Sequence, residues 1–137
     1  MPLFKNYLLF FLLLIPFSNF AQSLECCSSD KEIEEAITGY WKIKNDDSKS
    51  IYHYWFENGR GNVENVEISE TIGEYKPVEK SHSHIYIKKE ADTMKLEYIY
   101  RYGNWTSVIK KLDKSNLTLE TNGESTEYHK VNLKNTL

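Results

Sequence analysis

With 137 residues, the chain is long enough for one domain and no more. Its 17 Lys and Arg stand against 20 Asp and Glu. That balance excludes the basic stripe that nucleic acid or an anionic membrane surface would require.

The chain opens on a leader. Lys5 gives a weakly basic start, and Tyr7 to Ile15 is unbroken apolar sequence. A membrane span needs about 20 apolar residues, so no transmembrane segment is expected. Ala21-Gln22-Ser23 offers small residues for a cut after Ser23. The alternative is a buried N-terminal helix. Removing 23 of 137 residues leaves 114, and losing Lys5 takes 17 basic residues to 16 against 20 acids, a net of −4. Residues 1–23 therefore read as a signal peptide, 24–29 as a tether with the Cys pair, and 30–137 as the folded domain. Export to the periplasm or the exterior is the expected localisation.

Cys26 and Cys27 are adjacent. Neighbouring Cα atoms lie about 3.8 Å apart, and an ordinary disulfide spans about 5.5 Å. A structural disulfide inside the domain is not expected. The readings left are an oxidised or mixed-disulfide tail, a lipid anchor through Cys26 or Cys27, and a plain mobile tether. Glu25 and Cys26 stand where a lipid-anchor signal wants small neutral residues.

Ser29 followed by Glu32 has the spacing of a capping box, and Ile33, Ala36 and Ile37 share one helical stripe. Gly39 is placed to end this two-turn helix. From Tyr40 the apolar period becomes two. Strands are predicted at Trp41 to Ile43, Ile51 to Phe56, an irregular third through Val63, Val66 and Ile68, Ile72 to Val78, and His84 to Lys88. Met94 to Tyr100, Trp105 to Leu112, Leu117 with Leu119, and Ser125 to Val131 complete the set. Asn58-Gly59 and Asn122-Gly123 are turn signals, and Pro77 marks a strand end or an edge. Short strands with frequent turns and no intervening helix read as an all-β barrel or sandwich.

Three features resemble the small lipocalin-like proteins of exported bacterial proteomes. Gly39-Tyr40-Trp41 has the Gly-x-Trp form that opens the first lipocalin strand after a short helix. Phe56-Glu57-Asn58-Gly59 resembles the Phe-x-x-Gly that ends the second. Ile109 to Leu112, Asn116 to Leu119 and Tyr128 to Val131 resemble the last three strands. The resemblance spans most of residues 33–131. It implies an antiparallel up-and-down β-barrel of about eight strands with a short N-terminal helix, able to hold a small hydrophobic or amphipathic ligand. No Thr-Asp-Tyr-like second signature is present, and no arginine of the last strand is placed to cap Trp41.

Alternation puts Tyr52, Tyr54 and Phe56 on one face, and Leu96, Tyr98 and Tyr100 on another. With Trp41 at the helix-covered end, these seven are the candidate barrel lining. They form either a ligand wall with phenolic hydroxyls or a filled core. His82 and His84 point the same way but outward, because Ile85 and Ile87 claim the inner face; they read as solvated histidines, and His53 and His129 cannot be placed beside them. No metal and no cofactor is expected. Glu64, Glu67, Glu70 and Glu74 read as a solvated charge face rather than a glycosidase pair. No nucleophile elbow or zinc-binding His pair appears, so catalysis is not expected. The functional readings are a small-ligand binder and, as the alternative, a protein-interaction module with a filled barrel.

Overall fold

A computed structural model describes Leu24 and residues 26–68 and 74–133. The expected leader and cleavage site, Ile72 and Glu70 lie outside the described residues. Among the described residues, one helix, α1 (Asp30–Ile37), precedes nine strands. These are β1 (Gly39–Ile43), β2 (Ile51–Glu57), β3 (Arg60–Ile68), β4 (Tyr75–Pro77) and β5 (Ser83–Glu90), then β6 (Thr93–Tyr100), β7 (Gly103–Leu112), β8 (Asn116–Thr121) and β9 (Glu124–Val131). No helix among the described residues is long and apolar enough to cross a membrane.

Every pairing is antiparallel. The order β2-β1-β9-β8-β7-β6-β5-β3 closes on itself through β2–β3, giving an eight-stranded barrel. The up-and-down barrel is thus the observed one, and a sandwich is not. β4 and β5 are successive pieces of one broken strand: both run antiparallel to β3, β5 against Gly61 to Val63 and β4 against Val66 to Ile68. This change of partner explains the irregular apolar spacing of β3, which stays in unbroken register with β2 from Arg60 to Val66. The register does slip once elsewhere, between Ile109 and Lys111 of β7.

Local signals account for the ends of the elements. Ser29 Oγ accepts from the Glu32 amide at 3.2 Å, as a capping residue should. The Glu32 carboxylate reaches Ser28 rather than Ser29, accepting from its amide at 2.5 Å and its hydroxyl at 2.9 Å. Those donors hold the Glu32 carboxyl below its ordinary range. At the other end Thr38, not Gly39, is the cap: its amide and its hydroxyl both donate to the Glu34 carbonyl, at 3.0 and 2.7 Å. Gly39 then starts β1 with φ +135°, where a Cβ would stand 3.1 Å from Lys130 Cε. Asn58-Gly59 and Asn122-Gly123 both take positive φ at each residue, the geometry that tight hairpins require.

The core fills the helix-covered half of the barrel. Ile33 and Ile37 of α1 pack with Trp41, Ile85, Met94, Leu96, Ile109, Leu112 and Leu117. Trp41 is fully buried and its Nε1 donates to the Ile37 carbonyl at 2.7 Å. Its ring is capped after all, by a lysine: Lys130 Nζ of β9 lies 5.0 Å from the ring centroid and donates to the Ala36 carbonyl at 3.0 Å. One side chain thus satisfies an end carbonyl of α1 and covers the indole.

Leu24, Cys26 and Cys27 pack against this core rather than hanging free. Cys26 and Cys27 are joined to each other, with Cα atoms 3.7 Å apart. The expected spacing excludes an ordinary long-range bridge, but it does not exclude the small ring that two neighbours can close.

Gly61 is a close-approach position. A Cβ there would fall 2.3 Å from Ile85 Cγ1, 2.7 Å from Phe56 Cε1 and 2.8 Å from the Ile85 carbonyl oxygen. The last is backbone and cannot swing away. Gly61→Ala should therefore cost about 1–3 kcal/mol by overpacking. Urea denaturation checks this, and an unchanged midpoint would mean that the β3–β5 seam has slack.

Candidate ligand pocket

The half of the barrel away from α1 is not filled. A cavity of about 290 Å³ lies there. It is lined by Tyr52, Tyr54, Val63, Asn65, Ser81, Ser83, Tyr98, Tyr100, Trp105, Ser107, Leu119, Thr121, Thr126 and Tyr128. None of these carries a formal charge. The strand parity that puts Trp41, Leu96 and Ile109 into the core sends the next inward residues, toward the mouth, into the cavity. On β6 the step is from Leu96 to Tyr98 and Tyr100. On β7 it is from Ile109 back to Ser107 and Trp105.

The floor is a set of hydroxyls. Tyr54 and Tyr98, 2% and 4% exposed, bring their phenolic oxygens to 3.1 Å. Ser107, beside them on the cavity wall, lies 2.6 Å from the Thr121 hydroxyl. Burial pushes the Tyr54 and Tyr98 phenols well up from their ordinary range. Burial also raises Tyr128, to about 12, with a smaller contribution from nearby Tyr52. All are neutral hydrogen-bonding groups at physiological pH.

The walls are rings. Trp105 stacks on Tyr98 with centroids 4.9 Å apart and planes 9° from parallel. Tyr52 and Tyr128 meet edge to face at 5.7 Å. At the rim, Tyr100 donates its hydroxyl to the Lys80 carbonyl, which ties the β4–β5 connection to the mouth. Ser81 in that connection donates to the Val78 carbonyl at 2.7 Å and accepts from the Asn65 amide at 3.0 Å. Trp105 remains 41% exposed and Tyr102 70% exposed.

Of the seven residues read from sequence as lining, Tyr52, Tyr54, Tyr98 and Tyr100 surround the cavity. Trp41 and Leu96 do not: both are fully buried in the packed half. Phe56 packs against the same core. Sequence reading missed Trp105, Tyr128 and the Ser and Thr side chains. Trp105 was accessible in principle, since it pairs directly with Tyr98 across β6 and β7. Among the described residues, the acidic side chains gather into no site. Glu64 lies 3.6 Å from His53 Nδ1, while Glu67, three residues on in the same strand, takes the opposite face.

Fold and cavity together define a small eight-stranded antiparallel β-barrel, solid at one end and hollow at the other. No protein-family model and no curated protein matches the chain. Among solved structures it is similar to a lipocalin-like protein from Bacteroides uniformis ATCC 8492. That likeness has 13% identity and a TM-score of 0.44, covering 70% of this chain and 99% of that one.

Proposed function

We propose that the protein binds a small uncharged amphipathic molecule in the pocket at the mouth of the barrel. One observation carries this: a cavity of about 290 Å³ walled by Tyr and Trp rings, floored by hydroxyls and free of charged side chains. Ligand pockets run about 300–1,000 Å³, so this one suits a single ring system with polar edges better than a long acyl chain, a sterol or haem. The rings supply apolar contact and the hydroxyls select for orientation. We further infer that binding takes place after export. The apolar leader and the oxidised Cys26–Cys27 pair support that compartment.

The test is a thermal-shift and tryptophan-fluorescence screen of small neutral aromatics and sugars, with fatty acids, sterols and haem as the large comparators. A small neutral compound should raise the melting temperature in step with its concentration. Trp105→Ala should weaken that compound by roughly tenfold, about the worth of one aromatic stacking contact. Equal response of the parent and Trp105→Ala would remove the pocket from the reading. The alternative, a protein-interaction module, is favoured by the exposed rim residues Tyr102 and Trp105, and a screen with no hit would turn attention to it.

A further inference from the structure

The outer face of the barrel carries a second arrangement, unrelated to the pocket. Ser83 points inward to the cavity, so His82 and His84 on either side of it point outward. Between them and the neighbouring strand lies Asn62 of β3, 6% exposed. Its Oδ1 stands 3.0 Å from His82 Nε2 and 3.1 Å from His84 Nδ1. Its Nδ2 donates to the Arg60 carbonyl at 3.4 Å, which turns the oxygen toward the two rings. The rings themselves meet edge to face with centroids 4.8 Å apart. Two ring nitrogens thus approach one amide oxygen, His84 from β5, His82 from the residue just before that strand and Asn62 from β3.

We infer that His82, His84 and the Asn62 amide oxygen form a binding site for a late first-row divalent cation, Cu(II) most tightly. Donor atoms sharing such a cation at bonds of about 2.0–2.1 Å stand about 2.9–3.4 Å from one another. The two nitrogen–oxygen separations already fall in that range. Two imidazoles and one neutral oxygen, with solvent completing the shell at exposed His82, match the preference of Cu(II), and the affinity order of the first row puts Cu(II) first. In the metal-free protein each ring donates its N–H to Asn62. On binding, each neutral imidazole moves that proton to its other nitrogen, so the net proton count is unchanged. Among the described residues no three His, Cys, Asp or Glu side chains converge on a cation. The third donor here is an amide oxygen.

The neighbouring indole supplies a readout. Trp55 lies 5.8 Å from the His82 ring, within reach of quenching by a paramagnetic ion. Cu(II) is titrated into the untagged protein by calorimetry, electron paramagnetic resonance and fluorescence. The expected result is one Cu(II) per chain, coupling to two imidazole nitrogens, and a drop in emission that Trp55→Phe largely removes without changing affinity. The double variant His82→Gln/His84→Gln should weaken binding by roughly tenfold or more, since even the hydrogen-bond partners of metal ligands are worth about 10–100-fold. His82→Gln alone alters an exposed position and keeps the test available if the double variant does not fold. Asn62→Asp should tighten binding severalfold by replacing the amide with a carboxylate, and His129→Gln should leave it unchanged. Absence of nitrogen-coupled copper at millimolar Cu(II), or the same affinity and spectrum in the histidine variants, would overturn the assignment. Neither result would bear on the pocket.

Discussion

Replacing Trp41 by Ala is expected to lower the unfolding free energy by about 3–5 kcal/mol. The ring is fully buried at the junction of α1, β1 and β9. Its removal opens a cavity among Ile33, Ile37 and the strands beneath them. It also leaves the Ile37 carbonyl without the indole donor at 2.7 Å, at the end of a helix only eight residues long. A helix of two turns has no stability of its own and depends on this docking. Lys130→Met keeps the aliphatic stem over the ring position but loses the charge and the hydrogen bond to the Ala36 carbonyl, so it should cost less, about 1–2 kcal/mol. Urea denaturation of both variants separates the effects. An unchanged midpoint for Trp41→Ala would mean that the helix-covered end is not the stabilising half of the barrel.

Raising the pH above 10 should unfold the protein steeply. Tyr54, Tyr98 and Tyr128 all have phenols raised above the ordinary value of 10 in the fold, chiefly by burial. Below about pH 10 both folded and unfolded chains hold these protons, and the fold keeps its full stability. Above it the unfolded chain releases them first, so it binds fewer protons than the native state and the unfolding free energy falls. Each tyrosine contributes up to about 1.4 kcal/mol per pH unit until its folded-state value is reached. For Tyr128 that limit is about 12; Tyr54 and Tyr98 continue the loss beyond it. Denaturant midpoints measured from pH 8 to 12, alongside phenolate absorbance, give the slope. A flat profile through pH 11 would mean that the floor hydroxyls are open to water.

Strand alternation in the sequence put Tyr52, Tyr54, Phe56, Leu96, Tyr98 and Tyr100 on inward faces, and each expected strand has a counterpart among the described residues. What alternation cannot supply is depth along the barrel. Trp41, Phe56 and Leu96 have the same inward parity as Tyr54, Tyr98 and Tyr100, yet the first three fall in the packed half. The choice between ligand wall and filled core therefore had no single answer: the barrel is filled beside the helix and hollow beyond it. Ser83, Ser107, Thr121 and Thr126 were unreadable for a related reason. Small polar residues at inward positions look like ordinary surface alternation until closure of the barrel turns them toward each other. Lys130 was missed because a lysine in a strand usually marks a solvated face, whereas this one lies across an indole and a helix end. The broken strand β4–β5 was read as two strands, which is how the chain lays it down.

The connection between β4 and β5 has a consequence of its own. Because that strand is interrupted beside the mouth, the wall there is not a continuous ladder but a small flap held by Tyr100 on Lys80 and by Ser81 on Asn65. With the Val78 amide on the Asn65 carbonyl at 2.7 Å, these are local fastenings, and displacing them does not unzip a sheet. Tyr100→Phe removes the phenol bond to Lys80 and should loosen this edge of the mouth while leaving the packed half intact.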